Sequence, residues 1–126
     1  MKQHPRALAR AEITPARYGE LKKICRQYRE MRLAVMLAKR YGHHRALKGG
    51  DAADMPEARR VEIIEKAAEA AGGKTIGDAI LKSVTEGKRF YKLEPPCGER
   101  QFNELRLRFF VELDRGLWEF ERGRGK

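Results

Sequence analysis

The sequence predicts an all-α protein: a small bundle of four main helices, the last two in a helix-turn-helix-like arrangement. Three observations carry this. Apolar residues recur at steps of three and four along most of the chain, the spacing that lines one face of a helix. Thr14-Pro15, Gly42, Met55-Pro56, Gly72-Gly73, Gly87 and Pro95-Pro96 punctuate it as helix starts and stops. No stretch alternates apolar and polar residues as a strand would. At 126 residues the chain is one domain. Residues 1–13 read as a basic flexible arm, with a short turn of helix at Arg6 to Arg10. Residues 14–126 form a single helical domain, whose helix-turn-helix-like part spans about 75–121.

Thr14 is a good N-cap and Pro15 suits the first helical position, so the first helix runs from Pro15 to about Tyr41. Tyr18, Leu21, Cys25 and Tyr28 form one apolar line, continued beside it by Ile24, Met31, Val35 and Ala38. Lys22, Lys23, Arg26, Arg29, Arg32, Lys39 and Arg40 cover much of the rest, giving an amphipathic helix with a basic outer face. A connector follows, with His43-His44 and Gly49-Gly50. The second helix starts at Pro56 and buries Val61, Ile64, Ala68 and Ala71, stopping at Gly72-Gly73.

Gly73-Lys74-Thr75 ends like a phosphate-binding loop, but that motif needs glycine five residues before Gly73, where Ala68 stands. It reads instead as a helix stop followed by a start at Thr75, with Asp78 at the capping-box position. The third helix, Ile76 to Glu86, stops at Gly87. A short basic-aromatic segment, Lys88 to Leu93, leads to the Pro95-Pro96 turn. The long last helix then carries Phe102, Leu105, Phe109, Leu113, Leu117 and Phe120 on one face. Leu107, Val111 and Trp118 lie roughly opposite, where they pack on a neighbour or serve as an interface. A twofold homodimer through that line would suit a palindromic DNA site.

Composition excludes several classes. The longest apolar run, Leu33 to Ala38, is far short of the ~20 residues of a membrane span. The basic N-terminus has no apolar stretch behind it, so no signal peptide is expected and the protein is placed in the cytoplasm. Cys25 and Cys97 are isolated, and the adjacent histidines lack companion ligands, so neither a metal nor a cofactor is expected. No nucleophile has a base placed by sequence, so the chain is not read as an enzyme.

Net charge is +10, and its distribution is informative. Residues 1–48 hold 13 Lys or Arg against three Asp or Glu, whereas residues 49–126 hold 15 of each. All the surplus belongs to the first segment, which favours a polyanionic partner, either nucleic acid or an acidic protein surface.

YGELKKICRQY near the start, ADMPE in the middle and PPCGERQFNELRLRFFVELD near the end resemble a family of small proteins encoded by phages and prophages of Gram-positive bacteria. Its C-terminal part is similar to the fourth region of sigma factors, a helix-turn-helix that reads promoter DNA. The resemblance covers Tyr18 to Leu113. It implies a turn at Cys97 and Gly98, a recognition helix from about Glu99, and base contacts from Arg100, Gln101, Asn103 and Glu104. Arg bonds guanine, and Gln or Asn adenine, in the major groove. Arg106 and Arg108 would join Lys22, Lys23, Arg26, Arg29 and Arg32 on phosphates or on an acidic partner. The expected function is therefore a phage-encoded, DNA-binding regulator of transcription. The alternative is a non-enzymatic interaction protein, such as an anti-CRISPR-type inhibitor, docking its basic helix on a host protein or nucleoprotein complex.

Overall fold

A computed structural model describes residues 6–41 and 55–124. It holds α1 (Arg6–Arg10), α2 (Pro15–Arg26), α3 (Tyr28–Arg40), α4 (Pro56–Glu86), α5 (Phe90–Leu93) and α6 (Glu99–Arg124). There is no strand among the described residues, so the all-α bundle expected from the apolar periodicity is what forms. No described helix is long and apolar enough to cross a membrane. The connector with His43-His44 and Gly49-Gly50 lies outside the described residues.

The segment read as a loose arm is packed from Arg6 onward. Leu8 is fully buried and Ile13 nearly so. The Ile13 amide donates to the Leu8 carbonyl at 2.9 Å and the Glu12 amide to Ala9 at 3.0 Å, with Glu12 in the left-handed region at φ 63°. This is the Schellman close of a helix, in which the residues at its two ends are both apolar and meet. The arm's charge suggested a solvated tail; two apolar residues spaced five apart decide otherwise.

Thr14 caps α2 as expected, its hydroxyl accepting from the Arg17 amide at 3.1 Å. The single first helix is interrupted, however. The Gln27 amide donates back to Ile24, three residues away, at 3.0 Å, and its ψ of −3° tightens the chain there. Such a tight turn redirects the axis without losing the apolar line: Leu21, Cys25, Tyr28 and Met31 all remain buried.

The second and third predicted helices are joined in α4, across a kink at Gly73 with φ 72° and ψ −166°. Only glycine takes that conformation readily. The two limbs, 56–72 and 74–86, close tightly on the corner. A Cβ on Gly77 would lie 2.7 Å from the Ala68 carbonyl oxygen. Helix resumes immediately after Gly73, so Lys74 and Thr75 are helical and not a separate capping turn.

α4 ends at left-handed Gly87, and α5 is a single turn. The helix-turn-helix-like region therefore comprises the second limb of α4, this one turn, the proline turn and α6. α6 is the spine of the bundle. Phe102, Phe109, Phe110, Leu113 and Leu117 are at most 1% exposed, each burial contributing roughly 1.5–3 kcal/mol. Leu105 and Phe120, placed on the same face by spacing, are only half-buried. α4 crosses α6 closely at Gly116, where a Cβ would come within 2.7 Å of the Ile63 side chain.

Candidate nucleic-acid interface

α2 runs antiparallel along α6, and two contacts set the register. The Arg17 Nε donates to Asp114 Oδ1 at 2.6 Å. Tyr18 meets Phe110 edge-on, with centroids 5.1 Å apart. The Arg106 guanidinium, 5.6 Å from that same Phe110 ring centroid, lies further along toward the end of α2. The C-terminal, basic end of α2 therefore adjoins the N-terminal half of α6, the half expected to read DNA. α3 is tied to α4 by the Tyr28 hydroxyl, which donates to the Glu65 carboxylate. Burial and that bond both raise the Tyr28 phenol above its ordinary range. Burial likewise pushes the Cys25 thiol up to about 12, with Arg106 pulling weakly the other way, so this thiol is an inert core group.

On α6, Arg100, Gln101, Asn103 and Glu104 are all exposed, as a reading helix requires. They do not share one line. Residues two apart on a helix diverge by roughly 200°, so Gln101 and Asn103 occupy opposite flanks with Arg100 and Glu104 between them. Arg100 Nε stands 3.6 Å from Glu104 Oε1, a surface pair that solvent readily opens.

Asn103 lines a crevice of about 400 Å³ between the end of α4, α5 and α6. Lys88, Arg89, Tyr91 and Arg106 line it too. Arg106, expected as a plain surface cation, is half-buried. Its Nε is enclosed without a hydrogen-bond partner, and its guanidinium lies 5.6 Å from the Phe110 ring centroid. Arg108 is fully outward. Lys88 and Arg89 were not singled out by spacing. The KRFYK run was the available signal, since only the fold brings it beside Asn103 and Arg106.

The cations of α2 and α3 are placed as their spacing implies. Lys23, Arg26, Arg29 and Arg32 are exposed; Lys22 is half-buried, its Nζ 4.5 Å above the Tyr18 ring. Arg32 lies 5.8 Å from the Tyr28 ring centroid. Among the described residues, none of Lys22, Lys23, Arg26, Arg29, Arg32, Lys39 and Arg40 is within ion-pair distance of a carboxylate. Elsewhere Lys66, Lys82, Lys88, Arg100 and Arg115 each have one.

The line expected as an interface divides in two. Leu107 and Val111 are half-buried against the core, while Trp118 is 55% exposed with Arg122 5.7 Å from its ring centroid. No family model matches this chain, and neither does any curated protein or solved structure.

Proposed function

We propose that this protein is a non-enzymatic, DNA-binding regulator of transcription, of the kind phages encode and working in the bacterial cytoplasm. The observation that carries the reading is the set of exposed cations on α2 and α3 without carboxylate partners. Lys22 and Arg26, and Lys23 and Arg26, stand three or four residues apart within α2, as do Arg29 and Arg32 within α3. Like charges at that spacing cost a helix roughly 0.2–0.5 kcal/mol per pair. A polyanion relieves this repulsion, and duplex phosphates also release counterions when they meet such a row.

Arg29 and Arg32 follow α3 along α4, whereas the antiparallel register of α2 brings its own C-terminal cations toward the N-terminal half of α6. There Arg100, Gln101 and Glu104 face outward, and Asn103 borders the basic crevice. In this reading α2, Arg106, Lys88 and Arg89 hold phosphates and fix the register, while the exposed turns of α6 face base edges. Titration of the nucleic-acid-free protein against a mixed-sequence duplex, at two salt concentrations, tests it. Tight binding that weakens steeply with salt is expected. Absence of binding at low salt overturns the proposal.

A further inference from the structure

We propose that the outer face of α3 is a docking surface for an acidic, amphipathic helical segment of a partner protein. The inward side of α3 is accounted for: Tyr28 and Met31 are buried, and Val35 and Ala38 half-buried, against the bundle. On the other side Leu33 is 50% exposed, Met36 54% and Leu37 42%. Single exposed apolar residues are ordinary on any protein. Three at positions i, i+3 and i+4 share one helix face and form a contiguous patch, which marks an interaction surface.

The frame of that patch names the partner's chemistry. Arg29, Arg32, Lys39 and Arg40 surround it, all exposed and none paired with a described carboxylate. A phosphate backbone offers Leu and Met nothing. An acidic helix with an apolar stripe satisfies both the cations and the patch. A groove of about 680 Å³ between α3 and α4, lined in part by Leu33, Met36 and Val61, gives such a helix a place for an apolar anchor. The two carboxylates bordering the groove are already engaged, Glu65 by the Tyr28 hydroxyl and Glu86 by Lys88 at 3.5 Å. Arg29, Arg32 and Lys39 on the same groove outnumber those two carboxylates. Methionine adds an adaptable contact.

A second copy of this chain fits less well. Beyond α3 and Tyr41, the large exposed apolar residues described are Tyr91 and Trp118. Tyr91 stands between Arg89 and Lys92, and Trp118 beside Arg122, so self-association would set cation against cation.

The inference stands independently of DNA binding. It is tested with a fluorescent synthetic helix bearing Leu at i, i+3, i+4 and i+7 and Glu elsewhere, against a scrambled peptide of equal composition. Saturable binding of the patterned peptide is expected, with amide shifts of the unaltered protein confined to residues around 29–40. The exposed pair Leu33→Gln with Met36→Gln should weaken it about tenfold or more, the scale of losing two apolar contacts. Duplex affinity should be unchanged in that variant, whereas Lys22→Gln with Arg26→Gln should do the reverse. Equal binding of the scrambled peptide, or shifts mapping elsewhere, overturns the proposal. So does partition into phosphatidylglycerol vesicles without peptide preference, or dimerisation lost on Met36→Gln.

Discussion

Cations are treated differently in the two halves of this molecule. On α4 and α6, Lys66 has Glu62, Lys82 has Asp78, Arg100 has Glu104 and Arg115 has Glu112, each one helical turn away. Such pairs contribute roughly 0.3–0.5 kcal/mol apiece, although Arg59, Arg60, Lys74, Arg108 and Arg122 on the same helices have no described carboxylate within ion-pair distance. On α2 and α3 the same residue types stand one turn from each other, with Glu20 occupied by Arg17. The first arrangement serves the helix that carries it. The second leaves like charges together on α2 and on α3, a repulsion that a bound polyanion would relieve. α6 is thus chiefly the interior spine, and the strongest long-range field belongs to α2 and α3.

The sharpest way to break this division is through the inner side of α6. Phe110→Ala should cost about 3–5 kcal/mol in denaturant unfolding, as for other buried aromatics, while Arg100→Ala stays within about 0.5 kcal/mol. Comparable effects would make α6 a surface helix and the division meaningless.

Next in size is the corner of α4. Gly77→Ala drives a methyl group against backbone at Ala68 and should cost about 1–3 kcal/mol. Gly116→Ala meets a side chain and not backbone, the Cγ2 branch methyl of Ile63, which moves only with its stiff χ1, so its penalty should be no larger when both are melted side by side. A larger penalty at Gly116 would show the α4–α6 crossing to be the more rigid contact.

The division is sharpened by asking whether the outer turns of α6 add specificity. On a duplex selected for tight binding, Arg100→Ala and Gln101→Ala should each cost about 1–3 kcal/mol and spare binding to random duplex. Equal loss on both duplexes would reduce α6 to another phosphate contact. The smallest effect is on folding itself: Arg29→Glu turns the like-charge neighbour Arg32 into an opposite one and puts an acid in the first turn of α3, where the helix dipole favours it. Its helix should gain a few tenths of a kcal/mol in thermal unfolding while duplex binding drops. Loss of both stability and binding would mean that Arg29 has a structural role.

Much of this was legible in the sequence because it is local. Helix periodicity, the Thr14 cap, the stop at Gly87 and the concentration of basic residues depend on neighbours in the chain. What escaped depends on contacts across it. Phe110 sits at the edge of the first apolar line, three residues before Leu113, and Tyr18 arriving edge-on from α2 completes its burial. The turn of helix at Arg6–Arg10 was legible, but its docking through Leu8 and Ile13 was not. The break at Gln27 has no proline or glycine to announce it. Arg106 looks like Arg108 in sequence, but four positions before Phe110 it turns inward over that ring. Lys88 and Arg89 reach the first turns of α6 only through the turn at α5.

The most direct test of the unpaired-cation account is the slope of log K against log salt for duplex binding. It should be measured for the native protein and for Lys22→Gln, Arg26→Gln and Arg29→Gln combined. Each phosphate contact removed should reduce the slope by about 0.9, so the triple variant should lose between two and three such steps. The matched control is Lys66→Gln with Lys82→Gln, two cations that already have acidic partners, and its slope should not change. An unchanged slope in the triple variant, or an equal loss in the control, would contradict the claim that α2 and the start of α3 hold the polyanion.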